Sequence, residues 1–260
     1  MRKIGGSGGE KKAFIWHAYR SWRIRILTGL SDFITDDVFA SFAEVEPNNF
    51  IDDGCEAINA AVRASSGNKI DVESVLAERF PAIFPCVRAF HGCRGESSTY
   101  LEEGILRGDI DRSKAHACQL FGRPDRLDAI FDELQSYLIH NSGKVFFLLT
   151  GEEFLRNGTD GYIQRGSEFL SAVANRLGQE AVLASNGRGM IIECDIPTDL
   201  IPEEDVRGLT RLALTEVFRR FSKTDPVYSG DFGFAIHSDL PREQIVKIHF
   251  PLETDREERE

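Results

Sequence analysis

Val87-Arg88-Ala89-Phe90-His91-Gly92-Cys93 is the stretch on which the fold turns. Pro81 and Pro85 end the helical texture that precedes it. The stretch itself reads as a strand, with His91 at its C-terminal end and Gly92 directly after. A glycine at a strand end lets another molecule approach the backbone closely. A histidine there either presents its ring to a ligand or bonds its neighbours and supports packing. Both readings stand at this level.

Working outward toward the N-terminus, residues 1–80 read as a mostly helical section. Ala13 to Leu30 is rich in aromatics and isoleucine. Its segment Trp22-Arg23-Ile24-Arg25-Ile26 alternates like a strand but also suits a helix. Thr35 is placed to cap a helix running through Val45. Asp52 to Ala64 and Asp71 to Phe80 are further helices, each opened by an aspartate.

Toward the C-terminus the texture is mixed. Ser97 to Leu106 reads as a short helix. Pro124 to His140 reads as a longer one, with proline in its first turn and Gly143 beyond its end. Val145 to Thr150 reads as a buried strand, and Phe169 to Leu177 as a helix closed by Gly178. Met190 to Ile196 is a strand ended by Pro197, and Glu203 to Phe221 is the longest amphipathic helix. Phe232 to His237 and Ile245 to Phe250 are two last strands around the turn Asp239-Leu240-Pro241. Strands and helices do not alternate strictly, which disfavours a doubly wound parallel sheet and favours α+β.

The chain has 260 residues, 42% hydrophobic and 28% charged, an ordinary globular balance. Its five cysteines are odd in number and form no CxxC pair, which argues against a disulfide framework and a zinc ribbon. A reducing, cytoplasmic setting is expected. No apolar run is long enough to cross a bilayer, and Met1 to Gly9 reads as a basic, glycine-rich tether. The net charge is −11, yet seven Lys or Arg residues and one acid lie between Met1 and Arg25. Such an arm suits nucleic acid or an acidic partner, or is a solvated tail. Trp16, Tyr19 and Trp22 among the arginines either stack on bases or anchor the front section onto its domain.

The order Phe90-His91-Gly92-Cys93-Arg94, then Ser97 to Leu106 with Glu103-Gly104-Ile105-Leu106, resembles the opening of ADP-ribosyltransferases of the His-Tyr-Glu type. The resemblance implies a mixed or antiparallel split sheet over residues 81–252, after the helical section 1–80 and before an acidic tail, 253–260. It implies NAD as substrate, held by His91 and Gly92, and no metal. A tyrosine that stacks on the nicotinamide would be Tyr162, with Tyr100 as runner-up. Arg94 and Arg165 are candidates for the pyrophosphate. The acid facing the ribose would be Glu168, whose Gly-Ser neighbours suit a tight backbone near a ligand, or else Asp231. The family's glutamate opens a late strand, and here that place reads Gly230-Asp231-Phe232-Gly233-Phe234. Glu168 also suits the start of a helix, where its charge complements the dipole.

The implied activity is transfer of ADP-ribose to a macromolecule, RNA, DNA or protein, as a bacterial toxin or defence effector with a neutralising protein partner. Two alternatives stay open: a non-catalytic nucleotide- or NAD-binding module that lost its acid, and a metal-free nuclease built on His91 and a second histidine. Cys93, two residues from His91, reads as a nucleophile with that histidine or as a small packed side chain.

Overall fold

The computed structural model of the chain describes residues 13–42, 53–155, 161–222 and 232–251. The fold is α+β, with twelve α-helices and six strands among those residues. The chain begins with β1 (Ala13–Phe14), α1 (Tyr19–Gly29), α2 (Asp36–Phe42), α3 (Asp53–Ser66) and α4 (Val72–Ile83). Then come β2 (Cys86–Gly95), α5 (Ser97–Glu103), α6 (Ile110–Phe121), α7 (Leu127–Glu133) and α8 (Gln135–Asn141). After β3 (Val145–Leu148) follow α9 (Gly161–Arg165), α10 (Glu168–Leu177), α11 (Glu180–Ser185) and β4 (Arg188–Pro197). The last elements are α12 (Glu203–Phe221), β5 (Gly233–Ile236) and β6 (Ile245–His249). No helix among the described residues is long and apolar enough to cross a membrane.

Two compact units divide the chain. One is Met1–Arg88 with Pro197–Ser229; the other is Ala89–Ile196 with Gly230–Glu260. In the first, α12 packs on α3 and α4, and α1 packs on α4. The ambiguous segment after Trp22 is helical. Trp22 and Ile26, four residues apart, are buried on one face of α1, while Ile24 is 58% exposed on the other. Trp22 stacks on Trp16 at 5.6 Å and its indole N–H donates to the Trp16 carbonyl, so these tryptophans anchor the front segment. Asp71 caps α4 by accepting from the backbone N–H of Glu73 and Ser74. Pro81 lies inside α4 rather than ending it. The N–H of Phe84 donates to Phe80 across the proline, and both rings are fully buried anchors. Of the helix expected from Thr35 to Val45, Asp36–Phe42 is described and the rest lies outside the described residues.

In the second unit the sheet order is β5-β3-β2-β4-β6. Strand β3 runs antiparallel to β2, with Phe90 opposite Leu148, and antiparallel to β5, with Phe147 opposite Phe234. Strand β6 runs antiparallel to β4, with Ile191 opposite His249. In the first unit, β1 joins the start of β2 in parallel, making the whole sheet mixed. The two last strands are therefore not a hairpin; they stand at opposite edges. The helix expected over Pro124 to His140 is two short ones, α7 and α8, that meet at the fully buried Leu134. Helix α6, unanticipated from the sequence, packs with α8 and α10, and its Ala117 and Phe121 join their apolar core. Ser167 caps α10 and Gly178 closes it in the left-handed region, φ 66°.

Candidate functional site

Successive side chains of a strand point to opposite faces of the sheet, and this alternation sorts the nominated residues on β2. His91 and Cys93 face one way; Phe90, Gly92 and Arg94 face the other. The contacts on each face agree with that division.

On the first face the His91 ring lies 5.9 Å from the Phe147 ring. Its Nδ1 is 2.9 Å from the carbonyl oxygen of Phe146. A carbonyl only accepts, so Nδ1 carries the proton and Nε2 is left as an acceptor. Burial holds the imidazole below its ordinary pKa, and the bond to Phe146 opposes this less strongly. His91 is thus neutral near pH 7. Beside it, burial pushes the Cys93 thiol up to about 12, which leaves a packed cysteine rather than a nucleophile. The Tyr100 hydroxyl is the partner of that thiol, and burial raises its pKa as well.

On the second face, Gly92 has no room for a side chain. A Cβ there would sit 2.5 Å from the ring of Phe154. Phe154 packs with Ile163 and Ile191, and Phe90, Leu148 and Tyr162 border the cluster. Tyr162 stands on helix α9, edge-on to Phe154 at 6.4 Å. Its hydroxyl donates to Oε1 of Glu168 at 2.7 Å, and burial together with that bond pushes the phenol up to about 12. Glu168 is the first residue of α10, where a carboxylate complements the helix dipole. The structure therefore sets Phe154, and beside it Tyr162 with its partner Glu168, against the Gly92 face of β2, opposite the face that carries the His91 ring.

Arg94 is occupied. Its Nε donates to the carbonyl of Asn186 at 2.9 Å, and its terminal nitrogens donate to the carbonyls of Ala184, Gly187 (3.0 Å) and Ile163 (3.4 Å). A guanidinium clamped by four carbonyls ties α9 and the end of α11 to β2, so its donors are not turned to a pyrophosphate. Arg165 is exposed in the last turn of α9. Asp231 lies outside the described residues, two positions before β5.

Some groups were not nominated from the sequence. Phe147 shares the face of His91, and only the pairing register of β2 with β3 reveals it. Glu153 is a buried carboxylate in the turn after β3, next to Phe154. A cavity of about 770 Å³ opens between α6 and α7, lined by Asp111, Lys114, Cys118, Arg123, Asp128 and Phe131 among others, and by none of the nominated residues. Among the described residues no three His, Cys, Asp or Glu side chains are grouped to hold a metal ion.

Comparison with family models, with curated proteins and with solved structures found no match.

Proposed function

We propose that the sheet-bearing part of the chain is a domain of ADP-ribosyltransferase type that takes NAD at the His91 face of β2 and transfers ADP-ribose to a macromolecule. The observation that carries this reading is the neighbourhood of β2. The His91-Gly92 strand stands beside β3, and β3 stands beside β5, the late strand that Asp231 precedes. Helix α5 and the turn at Gly104-Ile105 follow β2 in the order that the resemblance implies. Gly104 has φ +83°, and a Cβ there would run into the carbonyl of Leu240, so the turn requires glycine.

In this reading the neutral His91 accepts a ribose hydroxyl at Nε2 while Phe146 fixes its tautomer. Cleavage of the bond to nicotinamide builds positive charge on the ribose, and a nearby carboxylate stabilises it. Glu168 is held by Tyr162 across the sheet from His91, so Asp231 is assigned as that acid. Tyr162 becomes a positioning residue for α10 rather than the ring on the nicotinamide.

A second reading, a nucleotide-binding module without catalysis, is favoured by two observations: no carboxylate among the described residues contacts His91, and Arg94 is spent on carbonyls. Incubation of the purified chain with NAD separates the two. Nicotinamide release or labelling of a lysate with ADP-ribose is expected, with His91→Ala and Asp231→Asn each lowering the rate at least about tenfold, roughly 1.4 kcal/mol. Glu168→Ala is expected to leave most of it. Saturable NAD binding without release would select the module, and no binding by calorimetry would reject both. RNA cleavage without NAD would point instead to the nuclease.

A further inference from the structure

The first unit contains a cationic cluster that the reading above does not use. Tyr19 opens α1, and Arg23 lies one turn along the same helix. The Arg23 guanidinium stands 5.4 Å from the Tyr19 ring centre and 5.7 Å from that of Phe221. From α12, the Arg220 guanidinium stands 5.1 Å from the same Tyr19 ring. Arg220 is paired with Glu216 at 2.8 Å, whose side chain is nearly buried. Among the described residues two guanidinium groups thus meet one carboxylate, and Arg23 has no paired acid there.

Two donors in this cluster are also unused. The Tyr19 hydroxyl and Nε of Arg23 are both buried and lack a hydrogen-bond partner among the described residues. The two stand close together, and the guanidinium opposes the rise that burial gives the phenol's pKa. A buried donor without an acceptor costs about 1–3 kcal/mol, more for a charged group. Buried groups of this kind are rare, and an unaccounted ion is one standard reason for them. A cation is excluded by the two arginines, and a neutral ligand would meet the donors but not the charge. An oxyanion meets both, and guanidinium groups suit phosphate in particular.

We propose that Tyr19, Arg23 and Arg220 form a binding site for a phosphate group. It is independent of the NAD reading, because all three residues belong to the first unit.

The test uses the full chain in chloride buffer with inorganic phosphate as the probe. Phosphate is expected to bind saturably by calorimetry and to raise the melting temperature. Arg23→Gln is expected to weaken binding at least about tenfold, the loss of one charge-assisted contact. Tyr19→Phe keeps the ring beneath both guanidinium groups, removes only the hydroxyl, and is expected to weaken binding several-fold. Arg20→Gln, exposed on the same helix, is expected to bind as the wild type does, and so is His91→Ala. A nucleoside 5′-monophosphate competing as well as phosphate would show that the phosphate group alone is read; one that competes more strongly would identify a nucleotide as the source. Absence of saturable binding, or equal loss in Arg20→Gln and Arg23→Gln, overturns the proposal. If Arg23→Gln loses its helical circular dichroism, Tyr19→Phe decides by itself.

Discussion

At the scale of single residues, the behaviour of His91 follows from its surroundings. Burial lowers its pKa, and the Phe146 carbonyl fixes the proton on Nδ1. Above about pH 6.5 the ring is neutral in both the folded and unfolded chain and adds no pH dependence. Below that value the unfolded chain takes up a proton that the buried ring resists, so stability falls as the pH drops toward the lowered folded value. His116, also lowered by burial, acts in the same direction. Thermal melts between pH 7 and 5 are expected to show falling stability, with a shallower slope in His91→Gln; an unchanged slope would mean that the ring is not buried as described. Gly92 shows the opposite limit of what a residue reveals. Its identity suggested a close approach, and an approach is what the structure contains, but the approaching group is the Phe154 ring.

At the scale of elements, Arg94 fastens several pieces at once. Helices α9 and α11 are short, five and six residues, and cannot hold themselves by helix formation alone. Four backbone carbonyls from these pieces and the turn after α11 converge on the one guanidinium. Arg94→Ala is expected to cost about 2 kcal/mol, reduced from the sum of the bonds because the side chain is partly exposed. Arg94→Lys should not restore it, since one ammonium cannot reproduce a planar fork of donors. Amide hydrogen exchange should accelerate at Ala184–Gly187 in both variants while β3 and β5 keep their protection. Wild-type exchange in the lysine variant would refute the clamp. Other elements were readable directly. The range Glu203–Phe221 for α12 and the Gly178 stop of α10 follow from local signals. The break at Leu134 was not readable, because a buried leucine suits a continuous helix as well as a junction.

At the scale of the whole molecule, the chain leaves its first unit at β2 and returns to it with α12. Helix α12 buries Val206, Leu209, Ala213, Leu214, Val217 and Phe218, and packs on α3 and α4. A chain beginning at residue 81 would expose that face, and an exposed apolar surface of such size drives association. The shortened chain is therefore expected to aggregate or to show molten α12 signals, measured by light scattering and exchange; a monomeric, cooperatively melting product would contradict the packing. The sequence alone determined the α+β class and most element ranges, and it put His91-Gly92 on the decisive strand; they lie within β2, which runs on to Gly95, rather than at its end. These depend on periodicity, caps and breakers, which act within a few residues. Tertiary structure decided the strand order, the separation of His91 from Tyr162 and Glu168, the employment of Arg94, and the meeting of Tyr19 and Arg23 with Arg220. Each depends on the register and packing of segments far apart in the chain, and no local pattern carries that information.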